Sequence, residues 1–198
     1  MFIKPIKKYF INRRNKKAEI LSEDDIHDIH DLCKKGFIKA RGTGQTITNI
    51  NIEIVNRVNR KIKILIPHGT YFVSTGSHQN MVTRKQYTFS ISPYDTSHIN
   101  VPASCINAEL PIPGKDSKFK GVARVNDDLC KFLEATDGYD PMTIQAGVWA
   151  ITNGYNRYMA LNKLSAEDQY GNRTKPITES NVDTAKEILD KLNIKNNL

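Results

Sequence analysis

Long apolar runs are missing from this chain of 198 residues. The longest candidate, Ile62 to Pro67, is interrupted by Lys63. A helix needs about 20 apolar residues to cross a bilayer, so no transmembrane helix is expected. The first residues, Met1 to Ile11, place Lys4, Lys7 and Lys8 where a secretory signal would need an unbroken apolar core, which argues against secretion. Cysteine is scarce: Cys33, Cys105 and Cys130 are odd in number and far apart. A chain of this length folds without staples, and that usage fits a reducing compartment, so the expected location is cytoplasmic. Missing too are a Gly-rich phosphate loop, H-E-x-x-H, paired C-x-x-C and G-x-S-x-G. With no pair of carboxylates placed for acid/base work either, an ordinary hydrolase, kinase or dehydrogenase is disfavoured, and no cofactor is expected.

What the chain has in excess is positive charge, 29 Lys+Arg against 21 Asp+Glu. Seven of the cations (Lys4, Lys7, Lys8, Arg13, Arg14, Lys16, Lys17) lie in the first 20 residues beside one anion, Glu19. The other 178 residues carry 22 cations and 20 anions, a net +2. Residues 1–21 therefore read as a basic, flexible tail on a nearly neutral body. Such a tail can meet nucleic acid or an anionic membrane by charge.

Four segments follow from the periodicity. In 22–36, Ser22 followed by three acids reads as a helix start, Ile26, Ile29, Leu32 and Cys33 as its packed face, and Gly36 as its stop. In 37–110 the period drops to two. Ile50, Ile52 and Ile54 alternate with polar residues, as do Ile62, Ile64 and Ile66, and Tyr87, Phe89 and Ile91. Short strands with frequent turns and no crossover helix predict an antiparallel, immunoglobulin-like β-sandwich. In 111–198, beyond a Pro-rich connection, helices are expected after Asn126, at Asp140-Pro141 and after Thr178. The expected fold class is α+β: an immunoglobulin-like antiparallel sandwich with an N-terminal helix and a C-terminal helical subdomain docked through Ile144, Val148, Trp149 and Ile151.

Three sets of residues are candidates for chemistry. His27, His30 and Asp31 share a helical face at metal-ligand spacing, although His and Asp alternating with Ile also describe a solvated face, and no metal is expected. The loop Ser77, His78, Gln79 and Asn80 is polar, Gly-hinged and placed between strands, which suits a contact surface. Finally, Cys105 ends the last expected strand and Gln145-Ala-Gly-Val-Trp149 lies on the helix after the next one.

Over residues 103–152 this order of Cys, short helix and Gln-x-x-aliphatic-Trp helix resembles the thioester domains of bacterial surface adhesins. The resemblance implies an internal thioester between the Cys105 thiol and the Gln145 carboxamide, with Trp149 walling its pocket, that captures amines. It departs from the family in lacking a secretion signal and in its short Cys-to-Gln interval. The leading expectation is a soluble, non-enzymatic module binding a protein partner through loops or strand edges. Covalent amine capture through Cys105 and Gln145, and association of the tail with an anionic membrane or nucleic acid, are the alternatives.

Overall fold

The computed structural model describes residues 5–19, 21–167 and 169–198. In chain order the elements are α1 (Pro5–Ala18), β1 (Ile26–Asp28), α2 (Ile29–Lys35), β2 (Ile38–Thr46), β3 (Asn49–Asn56), β4 (Ile62–Ile66), β5 (Thr70–Ser74), β6 (Asn80–Thr83), β7 (Tyr87–Ile91), β8 (Thr96–Ile106) and β9 (Lys118–Arg124). They continue with α3 (Asp127–Ala135), α4 (Pro141–Asn153), α5 (Arg157–Asn162), the two-residue strands β10 (Ala166–Glu167) and β11 (Arg173–Thr174), and α6 (Glu179–Lys191). Alternation sets the core: Ile50, Ile52 and Ile54 of β3 are wholly buried, while Asn51 and Glu53 between them look outward. On β2, Ala40 and Gly42 point inward and Lys39, Arg41 and Thr43 point to solvent.

These strands form a closed barrel in the order β2-β3-β8-β6-β5-β9, every neighbouring pair antiparallel. This replaces the immunoglobulin-like sandwich expected from the sequence. The strand responsible is β9, which lies beyond the Pro-rich connection in the stretch read as helical. It pairs with Arg41–Thr43 of β2 on one side and with Thr70–Ser74 of β5 on the other, removing the edges that two open sheets would keep. Its signal in the sequence is thin because Phe119 is its one deeply buried residue.

Closure also depends on two glycines in β2. A Cβ on Gly42 would stand 2.7 Å from Ile50 Cδ1 and 3.2 Å from Phe119 Cβ, and one on Gly44 would stand 2.8 Å from the Gly114 carbonyl oxygen. Gly42→Val is therefore expected to cost roughly 1–3 kcal/mol through overpacking. A thermal melt of the variant against the parent checks this.

The second sheet, β1-β4-β7, pairs β1 parallel to β4 and β7 antiparallel to it, and its Ile62, Ile64 and Ile66 join the buried cluster of the barrel. The segment 22–36 thus differs from a single helix: Ile26–Asp28 hydrogen-bonds alongside Lys63–Leu65, and the helix begins only at Ile29. Asp28 caps it, accepting from the His30 N–H at 2.7 Å, and Gly36 ends it at φ 73°. Strand pairing satisfies main-chain groups that a helix started at Ser22 would use internally.

The C-terminal helices begin where their caps are written, at Asn126, Asp140 and Thr178. Helix α4 is buried along residues 143–150 and works on two faces. Ala146 and Trp149 join the barrel cluster, while Ile144 and Val148 join Phe132, Leu133, Ile188 and Leu189 of α3 and α6. Gly147 lets α3 cross close by, since a Cβ there would lie 2.0 Å from Phe132 Cζ.

Candidate functional site

Cys105 and Gln145 do meet, and the contact is made through the main chain. The Cys105 N–H donates to Gln145 Oε1 at 2.9 Å, and Gln145 Nε2 donates to the Cys105 carbonyl at 2.8 Å. The reason lies in the register. Strand β3 pairs with β8 only as far as Pro102, and Ala103 N–H donates to the Thr48 carbonyl in the β2–β3 turn, so by Cys105 that side of β8 has no neighbouring strand. The Gln145 carboxamide takes the strand's place as donor and acceptor. Its burial at 1% exposure makes the two bonds necessary, because an unpaired peptide group there costs on the order of 1–3 kcal/mol.

The Cys105 sulfur faces the Ile47 carbonyl oxygen at 3.9 Å, and burial pushes the thiol up to about 12. The nucleophile that thioester formation requires is the thiolate, which this environment disfavours. An intact mass equal to the sequence and a Cys105 that resists alkylation until the protein is denatured are the expected results. A mass lighter by one ammonia would establish the thioester instead.

Trp149 is wholly buried, stacks at a tilt on Tyr155 and donates from Nε1 to Gln79 Oε1 at 3.3 Å. Gln79, expected in a contact loop, is thus buried. Its Nε2 donates to the Leu110 carbonyl at 2.9 Å. Asn80 accepts from the Ser74 N–H at 2.7 Å, and His78 packs edge-on against Phe119 at 5.0 Å between ring centres. Of the four residues only Ser77 is exposed.

His27 lies on β1 and only His30 and Asp31 are on α2, so the shared helical face expected of the three does not form, and both histidines are engaged elsewhere. His30 Nδ1 meets Asp28 Oδ1 at 2.8 Å and Nε2 meets the Ala123 carbonyl at 3.1 Å, while His27 Nε2 meets the Ser22 carbonyl at 2.9 Å. Burial alone would raise the Asp28 carboxyl. Hydrogen bonds from the His30 main chain and ring, and the charges of His30 and Arg124, outweigh it and hold Asp28 below its ordinary value. Among the described residues no three His, Cys, Asp or Glu side chains are grouped so as to hold a metal ion.

The feature that sequence reasoning missed is on the outside of the barrel. Register aligns Lys120, Arg41, Glu53 and His98 in one row across β9, β2, β3 and β8, and Lys118, Thr43, Asn51 and Asn100 in the next. Directly paired positions stand about 5 Å apart at Cβ, so each row is continuous. The Asn100 amide donates to Asn51 Oδ1 at 2.7 Å.

Two hollows open on this face. One of about 770 Å³ is bounded by Cys33, Gly36, Lys39, Arg41, Val55, Arg57 and Lys120. The other, about 320 Å³, is bounded by Arg41, Thr43, Asn51, His98, Lys118 and Phe119, and both share Arg41 and Glu53. Five cations, Lys39, Arg41, Arg57, Lys118 and Lys120, therefore line one groove whose only carboxylate among the described residues is Glu53. None of the five is in an ion pair among the described residues.

The basic N-terminal segment comes close to this face at Arg14. Lys4 lies outside the described residues, and Lys7 and Lys8 fall within the helical backbone of α1. Toward the end of α1, Arg13, Lys16 and Lys17 are exposed. Asn15 anchors the helix by donating to the Tyr94 hydroxyl at 2.7 Å and accepting from the Asn59 N–H at 3.3 Å. Burial, and next the like charge of Arg57, lower the Arg14 guanidinium from the usual arginine value, with Tyr94 acting the other way. Arg14 and the groove's Arg57 are thus near neighbours.

The signal that could have revealed this groove is the alternation on β2, where Lys39, Arg41 and Thr43 occupy every second position beside Ala40, Gly42 and Gly44. No family model, no curated protein and no solved structure matches this chain, so the site speaks through its own geometry.

Proposed function

We propose that the protein binds nucleic acid, chiefly through its phosphates, in the basic groove across β9, β2 and β3, with the end of α1 extending the same surface. The observation that carries this reading is the gathering of five unpaired cations on one concave face. Net charge concealed it. Residues 21–124 hold 14 cations and 9 anions, a net +5, whereas residues 125–198 hold 8 and 11, a net −3. The near-neutral body is a basic barrel joined to acidic helices, and opposite potentials on two halves orient a polyanion toward one of them.

Cations two residues apart along β2 and β9 repeat at about 6.7 Å, a spacing at which an extended single strand can present successive phosphates. Thr43, Asn51, Asn100 and His98 add neutral donors and acceptors between them. Among the described residues the groove has no exposed aromatic platform, so affinity rests on charge more than on base stacking, and sequence preference is weak.

The test is fluorescence anisotropy with a labelled single-stranded oligonucleotide across a salt series. Binding should fall steeply with salt. Deleting residues 1–20 should weaken it without abolishing it, because the groove stays intact. Affinity that is insensitive to salt would end the proposal, and complete loss on deletion would return the function to the N-terminal segment alone.

A further inference from the structure

A second, separate site stands at the junction of the barrel and the helices. Arg84 follows β6 and is 7% exposed, yet among the described residues no carboxylate is paired with it. One guanidinium nitrogen, Nη2, donates to the Thr48 carbonyl at 3.0 Å, while Nε is buried with no partner among the described residues. Buried arginines are ordinarily satisfied by a carboxylate or by several carbonyls, because an uncompensated charge in a protein interior is costly.

Asp140 is the carboxylate whose charge Arg84 feels. Its Oδ1 is already committed to the start of α4, accepting from Met142 N at 2.8 Å, Thr143 N at 3.3 Å and the Asn181 amide at 3.1 Å. Burial accordingly lowers the Arg84 guanidinium from its usual value despite Asp140. Arg84 lines a pocket of about 220 Å³ whose rim carries Lys85, Asp137 and Tyr139. Lys85 Nζ bonds Asp137 Oδ1 at 2.8 Å across that rim, leaving further ammonium donors for a second acceptor.

We infer that this pocket binds a small oxyanion, a carboxylate or phosphate group, held by the Arg84 guanidinium at its base and by Lys85 at its mouth. The volume suits a molecule of a few heavy atoms or the charged end of a larger one. Arginine's planar fork matches both oxyanions, and a bound anion supplies the charge that the fold leaves unmatched. The site uses other cations than the groove, although β8 contributes to both, Pro102 here and His98 there.

The experiment follows the Arg84 Nε–H resonance of the ¹⁵N-labelled full chain during titration with inorganic phosphate and, separately, with acetate. A saturable shift with half-saturation on the order of 1 mM is expected with at least one of them. Movement with phosphate alone, or with acetate as well, tells which oxyanion the pocket prefers. The same anion should raise the melting temperature by mass action. Measured in the groove variant Arg41→Ala/Lys120→Ala, so that phosphate held in the groove contributes little, that rise should persist, shrink on adding Arg84→Lys and disappear on adding Arg84→Met. A resonance that neither anion moves would overturn the inference, and so would a melting shift that survives Arg84→Met in that background. The resonance of the parent protein decides the matter even if Arg84→Met does not fold.

Discussion

Replacing Arg41, Lys118 and Lys120 together by alanine is expected to weaken oligonucleotide binding by roughly 100-fold at low salt, taking on the order of 1 kcal/mol per phosphate contact. The slope of log affinity against log salt should become shallower by about 2, since each contact to a single strand contributes about 0.7. The three side chains point away from the core on β2 and β9, so the melting temperature should hardly change. That separation makes the result informative: binding falls while the fold stays.

Glu53 provides the opposite arm. Among the described residues it is the groove's one carboxylate, and its cross-strand neighbours are Arg41 and His98. Glu53→Gln removes its repulsion of a phosphate and should tighten binding. A triple variant with unchanged affinity and unchanged salt slope would show that the groove is not the binding surface.

Trp149→Ala should produce the largest loss of stability, about 3–5 kcal/mol, or roughly 10 °C in melting temperature for a chain of this size. Three effects combine. The largest wholly buried side chain disappears from between α4 and the barrel. The buried Gln79 Oε1 loses its donor, and Tyr155 loses the ring it leans on. Trp149→Phe separates these, since it keeps most of the packing and discards only the indole N–H. It should cost about 1–2 kcal/mol for the orphaned acceptor and a smaller ring. A melt of Trp149→Ala within a degree or two of the parent would mean that the helices are not anchored to the barrel through this residue.

The strands and helices with strong periodic patterns were legible, because burial on one side leaves its mark at every second or every fourth residue. Ile50, Ile52 and Ile54 are one such mark, and the caps at Asn126, Asp140 and Thr178 are another. Strand β9 was not legible: one buried phenylalanine among lysines and small residues looks like loop, and its pairing partners lie some 50 and 80 residues away in sequence. Without it the remaining strands read as a sandwich. The segment at Ile26–Asp28 was read as helix for a related reason, since its partner β4 is distant and local acids imitate a helix start.

The functional residues divide in the same way. Cys105 and Gln145 are singled out as a pair through the resemblance of residues 103–152 to thioester domains. That Gln145 clamps the main chain of Cys105 depends on where β3 stops pairing with β8, and no local pattern encodes that.

By itself the sequence determined the residue-level alternation, the helix termini, the lack of a long apolar segment and the total charge, because each of these is a property of composition or of neighbours a few residues apart. The tertiary structure alone decided that the barrel closes, that Arg84 is buried away from any paired carboxylate among the described residues, and that Lys39, Arg41, Arg57, Lys118 and Lys120 gather on one face. Charge summed along a chain is blind to direction. Folding gives each charge a position, and here it turns a nearly neutral body into one with a basic groove.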